Sequence, residues 1–338
     1  MGEATKAVVE SWKRTAGQYR RRILSRTVVK QAFLSRVETM AARAAIPPAG
    51  EREAALRAVS PAYVEAASGS PASLGRRVHR LRVDGLHWWM PIVHPRAEGP
   101  TPASIRKQTI PYLAITQTRE LAVGGVMLDL GANLGRMSIP RVVFGDVTAA
   151  YCAEPDPLNY ACLVGNIVDN GLAGMLLPDR VAVGDRDGSV VLVRSNFSGS
   201  HQVLADGMPA QGRRAAARER IEVPSVTVNT WLERLRVDPD AVTFVKVDVQ
   251  GFEVRVLQGA ARLLSRRHAA WQIEVDPGLL AGTGSSVAEL CDHLRRHFAQ
   301  FIDLKGTLSG PRERPIAEMA ESLGYLGDED HKTDVLVF

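Results

Sequence analysis

The chain has 338 residues, 45% of them hydrophobic and 23% charged, with a formal net charge of +5. These values are ordinary for a globular protein with a large core, and the mild positive charge permits anionic partners without requiring them. No apolar run approaches 18 residues, and no apolar segment follows the N-terminus. We therefore expect no membrane span, no signal peptide and a cytoplasmic protein. The three cysteines lack the spacing of a metal site or a disulfide.

Residues 1–73 predict a helical N-terminal extension. Apolar residues recur at helical spacing from Thr5 to Ala45, and a second helix is expected over Arg52–Ala67. Ser68–Ser73 is rich in glycine, serine and proline and predicts an exposed linker, so this extension is expected to be removable without unfolding the rest. The basic first helix is interpreted either as a partner- or membrane-surface-binding element or as an amphipathic helix with a solvated charged face.

Residues 74–120 predict a β-hairpin and a helical lead-in, on the side of the substrate. An Asp-Gly pair separates Val78–Val83 from Leu86–Val93, which is the strongest short hairpin signal. Trp88 and Trp89 must point to opposite faces of the second strand. One of them is expected in the core, and the other could line a substrate cleft. A helix is expected over Ser104–Glu120.

Residues 121–338 are organised around the stretch VMLDLGANLGRMS, which begins at Val126. An apolar strand that ends in a Gly-rich turn and opens a helix is typical of the nucleotide-binding corner of a doubly wound α/β sheet. The spelling lacks the glycines of a dinucleotide fingerprint and the lysine of an ATP P-loop. Asp129, Gly131, Asn133 and Gly135 instead match D-x-G-x-[GN]-x-G, the loop of class I S-adenosylmethionine (SAM) methyltransferases. A similar turn also occurs in other α/β proteins.

Strands and helices alternate through the rest of the chain. Five strands with helices between them, followed by a pair that could be antiparallel, are expected at Val126–Leu130, Val147–Ala153, Met175–Val183, Val242–Val247, Ala270–Val275, Phe301–Leu304 and Asp334–Phe338. Two shorter strands, Ser189–Arg194 and Val223–Val228, flank a basic loop, Ala205–Arg220. The expected fold is α/β and Rossmann-like, with a seven-stranded, mostly parallel sheet and an antiparallel terminal strand, plus the N-terminal helices and the hairpin.

Three carboxylates stand at the C-terminal ends of expected strands, where open α/β sheets bind their ligands. Glu154 lies 25 residues after Asp129 and is placed to accept hydrogen bonds from both hydroxyls of a ribose. Asp248 ends the fourth strand, which contains Lys246, and Glu274 lies near the end of the fifth. These side chains are therefore expected to face one crevice.

Six stretches between Leu128 and Asp276 match the motifs of one protein family in order and spacing. They are LDLGANLG at Leu128–Gly135, EPDPLNYACLVGN at Glu154–Asn166, AVGDRDG at Ala182–Gly188, VTVNTWL at Val226–Leu232, FVKVDVQGFEVRVLQGA at Phe244–Ala260 and IEVD at Ile273–Asp276. The chain thus resembles the FkbM family of SAM-dependent methyltransferases. The resemblance implies a class I methyltransferase fold, SAM as cofactor and O-methylation of hydroxyls, often on sugars or polyketide-type natural products. It does not cover the first hundred or so residues, which we expect to set substrate choice.

The resemblance also implies a division of labour among the site residues. The implied cofactor-binding residues are Asp129, Gly131, Asn133 and Gly135 for the methionine part of SAM, Glu154 with the adjoining Pro155 for the ribose, and Val181 and Ala182 beside the adenine. The implied catalytic residues, which would face the acceptor hydroxyl, are Asp248, Glu274 and Lys246. One of these carboxylates would accept the proton of the hydroxyl.

Several interpretations of these residues stay open. Lys246 could simply pair with Asp248 or Glu274 and leave both carboxylates as structure. The two carboxylates could share a divalent metal, although no dense acid cluster requires one and no metal is expected. His201, in a loop after Gly199-Ser200, could be the base or could merely be exposed.

Two other functions are considered beside O-methylation. A nucleic-acid N-methyltransferase would use the basic N-terminal region to grip phosphates. Such enzymes usually carry a D/N-P-P-aromatic motif after the fourth strand, where this chain has Asp248-Val249-Gln250-Gly251. A non-catalytic SAM-binding scaffold is the other alternative. We expect a small-molecule or glycan acceptor and no nucleic acid, and a homo-oligomer is left open.

Overall fold

The computed structural model describes residues 46–69, 71–92, 120–204, 219–305, 311–327 and 331–338, together with Pro102, Ile105 and Thr118. The helix expected over Thr5–Ala45, most of the one over Ser104–Glu120 and most of the loop Ala205–Arg220 lie outside these residues. In the described part, no helix has the length and apolarity needed to cross a bilayer.

The helices of the described part alternate with its strands. The helices are α1 (Ala49–Val59), α2 (Pro61–Ser68), α3 (Ser138–Val143), α4 (Pro157–Asp169), α5 (Val228–Arg234), α6 (Glu253–Gln258), α7 (Ala261–Arg266), α8 (Pro277–Gly282), α9 (Val287–Arg295) and α10 (Met319–Ser322). The strands are β1 (Val78–Val83), β2 (Leu86–Pro91), β3 (Val126–Leu130), β4 (Ala149–Ala153), β5 (Leu176–Asp179), β6 (Ala182–Gly184), β7 (Gly188–Arg194), β8 (Gln202–Val203), β9 (Glu219–Thr227), β10 (Val242–Val247), β11 (Ala270–Val275), β12 (Gln300–Asp303), β13 (Glu313–Pro315) and β14 (Thr333–Val337). Short 3-10 helices lie at Pro71–Arg77, Pro239–Ala241, Ile316–Glu318 and Gly324–Gly327.

The large sheet is the expected one. Within the described residues it has eight strands in the order β13-β12-β14-β11-β10-β3-β4-β5. From β11 to β5 the strands are parallel, and β14 runs antiparallel to both β11 and β12. Six of the expected strands lie in it together with the first half of the third, and the short polar β13 adds an unexpected strand at one edge. The strand order reverses between β3 and β10, and open α/β sheets bind ligands at such a switch point.

The third expected strand, Met175–Val183, is two strands in the structure. Its first half, β5, stays in the large sheet and ends at Asp179, whose carboxylate accepts hydrogen bonds from Trp231 Nε1 at 3.0 Å and Ser60 Oγ at 3.2 Å. Its second half, β6, pairs with β9 in a smaller sheet of order β6-β9-β7-β8. These hydrogen bonds to Asp179 from residues distant in the sequence interrupt a strand that looks continuous in the sequence. As a result, Val181 and Ala182 lie where the chain passes from the large sheet to the smaller one.

The helix boundaries follow local capping. Asp156 accepts hydrogen bonds from the backbone N–H groups of Leu158 and Asn159 at 3.0 and 2.9 Å, and α4 begins with proline as expected. α3 contains a proline as its third residue and starts at Ser138. Thr227 caps α5 and accepts from the backbone N–H of Thr230 at 3.1 Å. The segment after β10 forms two short helices, α6 and α7.

The N-terminal helices α1 and α2 belong to the core of the sheet. The helix expected over Arg52–Ala67 breaks at Ser60-Pro61, because proline cannot continue the hydrogen-bonding pattern of a helix interior. Leu56 and Tyr63, each 1% exposed, pack in the same cluster as β3 and β10, and Arg52 Nε donates to Gly174 O at 2.9 Å.

The linker expected at Ser68–Ser73 is exposed at Ser68, Gly69, Ala72 and Ser73, and Pro71 is the exception among its described residues. Pro71 is buried and fits against Gly165 of α4. The packing of Leu56, Tyr63 and Pro71 argues against removing the extension without loss of stability, and its separability stays a prediction. The domain boundary near residue 73 stays a prediction.

The hairpin of β1 and β2 forms as expected and is held by asparagine side chains. Asn170 of the α4 C-cap pairs with both backbone groups of His87, and Asn166 pairs in the same way with Trp89. Trp88 is 2% exposed, whereas Trp89 lies on α4 and donates from Nε1 to Asp169 at 2.9 Å. Neither tryptophan lines the cleft, so the alternative that one of them does is not supported, and Met90 of β2 reaches the cleft instead.

Candidate functional site

A cleft of about 1040 Å³ opens at the C-terminal ends of β3, β4, β10 and β11. This size lies at the upper end of the range for small-molecule sites. The expected site residues that line it are Gly131, Asn133, Glu154, Pro155, Val181, Ala182, His201, Lys246, Asp248 and Glu274. Asp129 and Gly135, also expected in the site, lie behind its wall. The structure thus brings nearly all of the expected residues to one surface.

The Gly-rich loop follows β3 as a chain of left-handed turns. Gly131, Asn133 and Gly135 have φ values of 79°, 52° and 78°, a region open to glycine and tolerated by asparagine. A Cβ atom on Gly131 would lie 1.9 Å from the backbone oxygen of Asp248, so the ends of β3 and β10 touch here. Glycine at 131 is therefore required twice, by backbone conformation and by space.

Glu154 is folded against this loop. Its Oε2 accepts from the backbone N–H of Asn133 at 2.8 Å, and its Oε1 accepts from the backbone N–H of Asp156 at 2.9 Å. Burial, with a further contribution from Asp156, raises the pKa of Glu154 to about 8, and the N–H donors oppose that rise. The carboxyl group of Glu154 thus lies at the cleft surface and changes between its protonated and ionised forms near pH 8.

The loop after β7, residues 195–201, covers part of the cleft. The backbone oxygen of Ser198 accepts from Asn133 Nδ2 at 2.7 Å and from Asn159 Nδ2 at 2.8 Å. These hydrogen bonds connect the loop after β7 to the Gly-rich loop and to α4. His201 is not a free loop histidine: its Nδ1 accepts from the backbone N–H of Ser195 at 2.9 Å, and its Nε2 lies 3.7 Å from Asp156 Oδ2. Burial lowers the pKa of His201, although Asp156 opposes this.

Lys246 links the two acids of the central strands. Its Nζ lies 3.1 Å from Asp248 Oδ2 and 4.0 Å from Asp129 Oδ1. Asp129 is fully buried, and neither carboxylate oxygen has a hydrogen-bond partner within the described residues, so burial raises its pKa while Lys246 opposes the rise. Asp248 is 33% exposed at the side chain, and burial there is outweighed by Lys246 and Lys332, which hold its pKa well below the usual range.

Gln250 bridges Asp248 and Glu274. Its Nε2 donates to Asp248 Oδ1 at 2.8 Å and to Glu274 Oε2 at 2.7 Å, while Lys332 Nζ donates to Glu274 Oε1. Burial and the neighbouring Asp248 raise the pKa of Glu274 well above its ordinary value, against the effect of Lys332. Adjacent carboxyl groups whose pKa values are driven apart are a common feature of proton-transfer sites.

The turn that contains Gln250 is held by the side chains of Glu253 and Thr283. Gln250 and Gly251 both have positive φ, 56° and 103°. Glu253 Oε1 accepts from the backbone N–H groups of Val249 and Gly251 at 3.1 and 3.2 Å, and Thr283 Oγ1 donates to the oxygen of Gly251 at 2.6 Å. Glu253, the first residue of α6, thus holds the backbone of the turn in place.

The site also contains residues that the sequence did not single out. Gln250, Lys332 and Arg136 line the cleft beside the expected acids. Lys332 comes from the segment before β14, 58 residues after Glu274, so no local pattern could place it there. Within the described residues no group of three or more histidine, cysteine or acidic side chains is arranged to hold a metal ion.

Comparisons with known proteins identify the family of the chain. The model of the methyltransferase FkbM domain matches residues 129–301. No curated protein matches the chain. Among solved structures, the methyltransferase FkbM of Methylobacillus flagellatus KT is similar at 16% identity and a TM-score of 0.38, over 63% of this chain and 43% of that one. The chain therefore spans less than half the length of that protein.

Two further solved structures are similar at lower identity. Pyrococcus horikoshii TYW2, in complex with MeSAdo, is 10% identical with a TM-score of 0.34, over 78% of this chain and 72% of that one. The tRNA m1G37 methyltransferase of M. jannaschii is 9% identical with a TM-score of 0.33, over 78% and 54%. The family match spans half of the chain and includes the Gly-rich loop, Glu154, Asp248 and Glu274. The chain belongs to the FkbM family of SAM-dependent methyltransferases.

Proposed function

We propose that the protein transfers the methyl group of SAM to a hydroxyl of a small-molecule or glycan acceptor, of the sugar or polyketide type. The observation that carries the proposal is the placement of Asp248. Its carboxylate ends β10 at the switch point of the sheet, is partly exposed to the cleft, and lies directly across the strand ends from the Gly-rich loop. A base in this position faces whatever group the cofactor methylates.

The residues of the cleft fit SAM on grounds of their own chemistry. The loop at Gly131 and Asn133 leaves backbone rather than side chain at the cleft surface, which allows close approach of a ligand. Glu154 offers a carboxylate to the hydroxyls of a ribose, and the apolar Val181 and Ala182 offer a surface for adenine. Asp129 lies behind the loop, and its Oδ1 is 4.0 Å from Lys246 Nζ, which also pairs with Asp248. When bound, SAM supplies a methyl group already activated on a sulfonium.

The chain's own residues then have to hold the acceptor oxygen in line and remove its proton. Asp248 accepts the proton as the hydroxyl becomes acidic in the transition state. Lys246 and Gln250 fix the two oxygens of Asp248, so the carboxylate cannot rotate away. Glu274, held by Gln250 and Lys332, serves as the second carboxyl of the site.

His201 is less suited to be the base. Because its Nδ1 accepts a backbone hydrogen bond, the neutral ring carries its proton on Nε2, which faces Asp156. The ring thus lacks a free acceptor nitrogen for a hydroxyl. The hairpin contributes Met90 to the cleft, which supports a role of residues 74–120 in the choice of acceptor.

Incubation of the protein with metabolite and glycan extracts and SAM carrying a ¹³C-labelled methyl group tests the proposal. We expect the label in a methyl ether, identified by mass spectrometry and by the carbon shift of the product. Label on nitrogen, or on RNA added to a parallel reaction, would replace O-methylation by N-methylation. A protein that binds S-adenosylhomocysteine but transfers no label to any pool would be a binding scaffold.

A further inference from the structure

Four cationic side chains line the cleft, and they differ in their partners. Lys246 pairs with Asp248 at 3.1 Å and Lys305 with Asp334 at 3.2 Å, and Lys332 forms an ion pair with Glu274. Each of these lysine charges is thus compensated by a carboxylate. Among the described residues of the cleft wall, Arg136 is the basic side chain without an acidic partner.

Arg136 is held in the cleft by an uncharged contact. It follows the Gly-rich loop, is half-buried, and its Nη2 donates to Asn133 Oδ1 at 3.0 Å. Burial lowers the pKa of Arg136 to about 10, and Asp248 opposes this, so the guanidinium keeps its charge at neutral pH and interacts with the Asp248 side of the cleft. A guanidinium has five N–H donors, and most of those of Arg136 are left for a ligand.

Part of the backbone of the Gly-rich loop is not available to an anion, because four of its N–H groups already have partners. The N–H groups of Gly131 and Ala132 both donate to the oxygen of Ala153, at 3.0 and 2.9 Å. The N–H of Asn133 donates to Glu154, and that of Gly135 to the oxygen of Ala132. A negatively charged group that enters beside the loop therefore cannot bind these four N–H groups, and the guanidinium of Arg136 is the charged donor next to them.

Because Arg136 forms no ion pair with the described residues of the cleft and four N–H groups of the adjoining loop are occupied, we infer that Arg136 is an anion-binding residue and holds a carboxylate brought by a ligand. The inference rests on the proposed function. Two ligands could bring this carboxylate, since the methionine part of the cofactor ends in one and an acidic acceptor, such as a uronate sugar, carries another. An arginine fork binds a carboxylate through two parallel hydrogen bonds, which a lysine cannot reproduce.

Binding measurements on Arg136→Met distinguish the two sources. The first pair of probes is S-adenosylhomocysteine and 5′-methylthioadenosine, which shares the nucleoside but lacks the amino acid. The second pair, titrated into protein saturated with S-adenosylhomocysteine, is glucuronate and glucose, which differ by one carboxylate. Arg82→Met, at an exposed position of β1, removes the same charge outside the cleft and is the control.

We expect Arg136→Met to weaken the carboxylate-bearing member of one pair by at least about ten-fold, as the loss of a charged hydrogen-bond pair does, and to leave the other member unchanged. Loss for S-adenosylhomocysteine would assign the cofactor's carboxylate to Arg136, and loss for glucuronate would assign an acidic acceptor. The affinity of Arg136→Lys for that ligand should lie between those of the parent protein and Arg136→Met. Arg136→Gln replaces Arg136→Met in these measurements if the methionine variant does not fold.

The inference is overturned if Arg136→Met does not weaken the carboxylate-bearing ligand relative to its partner in either pair. It is also overturned if Arg82→Met weakens the same ligand to the same extent. It is also overturned if 5′-methylthioadenosine and S-adenosylhomocysteine weaken equally, because Arg136 would then act on the loop through Asn133. These measurements follow binding alone, so a failure of the proposed methyl transfer to a hydroxyl would leave their outcome readable.

Discussion

The backbone oxygen of Asp248 lies 1.9 Å from the point that a Cβ atom on Gly131 would occupy. This contact joins the ends of β3 and β10 at the point where the strand order reverses. It places the Gly-rich loop and the proposed base side by side without any intervening side chain. The pairing of the two central strands thus sets the distance between the cofactor site and the acceptor site.

Replacement of Gly131 tests this contact against a matched glycine. Gly131→Ala adds a methyl group where there is no room, whereas Gly145→Ala adds one at a similar φ, 72°, with no atom within 4 Å. We expect Gly145→Ala to cost about 1 kcal/mol from backbone conformation alone. Gly131→Ala should cost at least about 2 kcal/mol more, because the strand ends must separate.

Urea unfolding gives the two free energies, and calorimetry gives the affinity for S-adenosylhomocysteine. Only Gly131→Ala should lose affinity, by at least about ten-fold. Equal stability losses and unchanged binding in both variants would mean that the contact does not set the cofactor site.

The packing of α1 is tested by two substitutions on the same helix. Leu56 is 1% exposed in the main core, whereas Val59 is 36% exposed. Leu56→Ala should lower the free energy of unfolding by about 2–5 kcal/mol, and Val59→Ala should change it by no more than about 0.5 kcal/mol. If both variants unfold like the parent protein, α1 is a separable appendage, as the linker-like composition of Ser68–Ser73 had predicted.

The pKa of Glu154 predicts a pH-dependent affinity for the nucleoside. Because burial raises this pKa to about 8, the free carboxyl group is largely protonated at pH 6. Ribose hydroxyls donate to the ionised form, so binding of 5′-methylthioadenosine should strengthen as pH rises from 6 to 9 and then level off. This ligand lacks the amino and carboxyl groups that would add their own titration.

Glu154→Gln is the control for that titration. It should bind 5′-methylthioadenosine more weakly than the parent protein at pH 9, by roughly 1–3 kcal/mol, and without dependence on pH. A parent protein with flat affinity from pH 6 to 9 would show that Glu154 does not take the ribose. The same raised pKa implies that the contribution of Glu154 to stability is present below its unfolded pKa and is lost as pH rises through about 8.

Chelation should not affect turnover. Asp248 accepts from Lys246 and Gln250, and Glu274 accepts from Gln250 and Lys332, so nitrogen donors already occupy the four carboxylate oxygens. We expect the same rate of methyl transfer before and after treatment of the protein with EDTA. Activity that disappears with EDTA and returns with Mg²⁺ would assign both carboxylates to a metal.

The sequence was sufficient where a strand is buried on both faces. β3, β10 and β11 have the expected bounds because each is a short apolar run between helices, and such runs end where polar or glycine residues begin. The strand expected from Met175 to Val183 failed because Asp179 is held by side chains from two distant helices, which no local pattern contains.

The same division applies to the site. The Gly-rich loop, Glu154, Asp248 and Glu274 could be found because each follows its own strand, and parallel strands bring their C-terminal ends together. Lys332 could not be found, since it reaches Glu274 only through the antiparallel insertion of β14 beside β11. Gln250 was visible in the sequence, but its bridging role depends on a left-handed turn that Glu253 fixes from a distance of three residues.

The most direct measurement is the single-turnover rate of methyl transfer in Asp248→Asn, with the acceptor identified by labelling. This change keeps the shape of Asp248 and removes its basicity. The rate should fall by about 10²–10⁴-fold, the usual contribution of a general base, while the affinity for S-adenosylhomocysteine stays unchanged. Asp240→Asn, at an exposed acid paired with Arg266 at 3.3 Å, should have the parent rate. A normal rate in Asp248→Asn together with an inactive His201→Ala would contradict the account and move the base to the loop after β7.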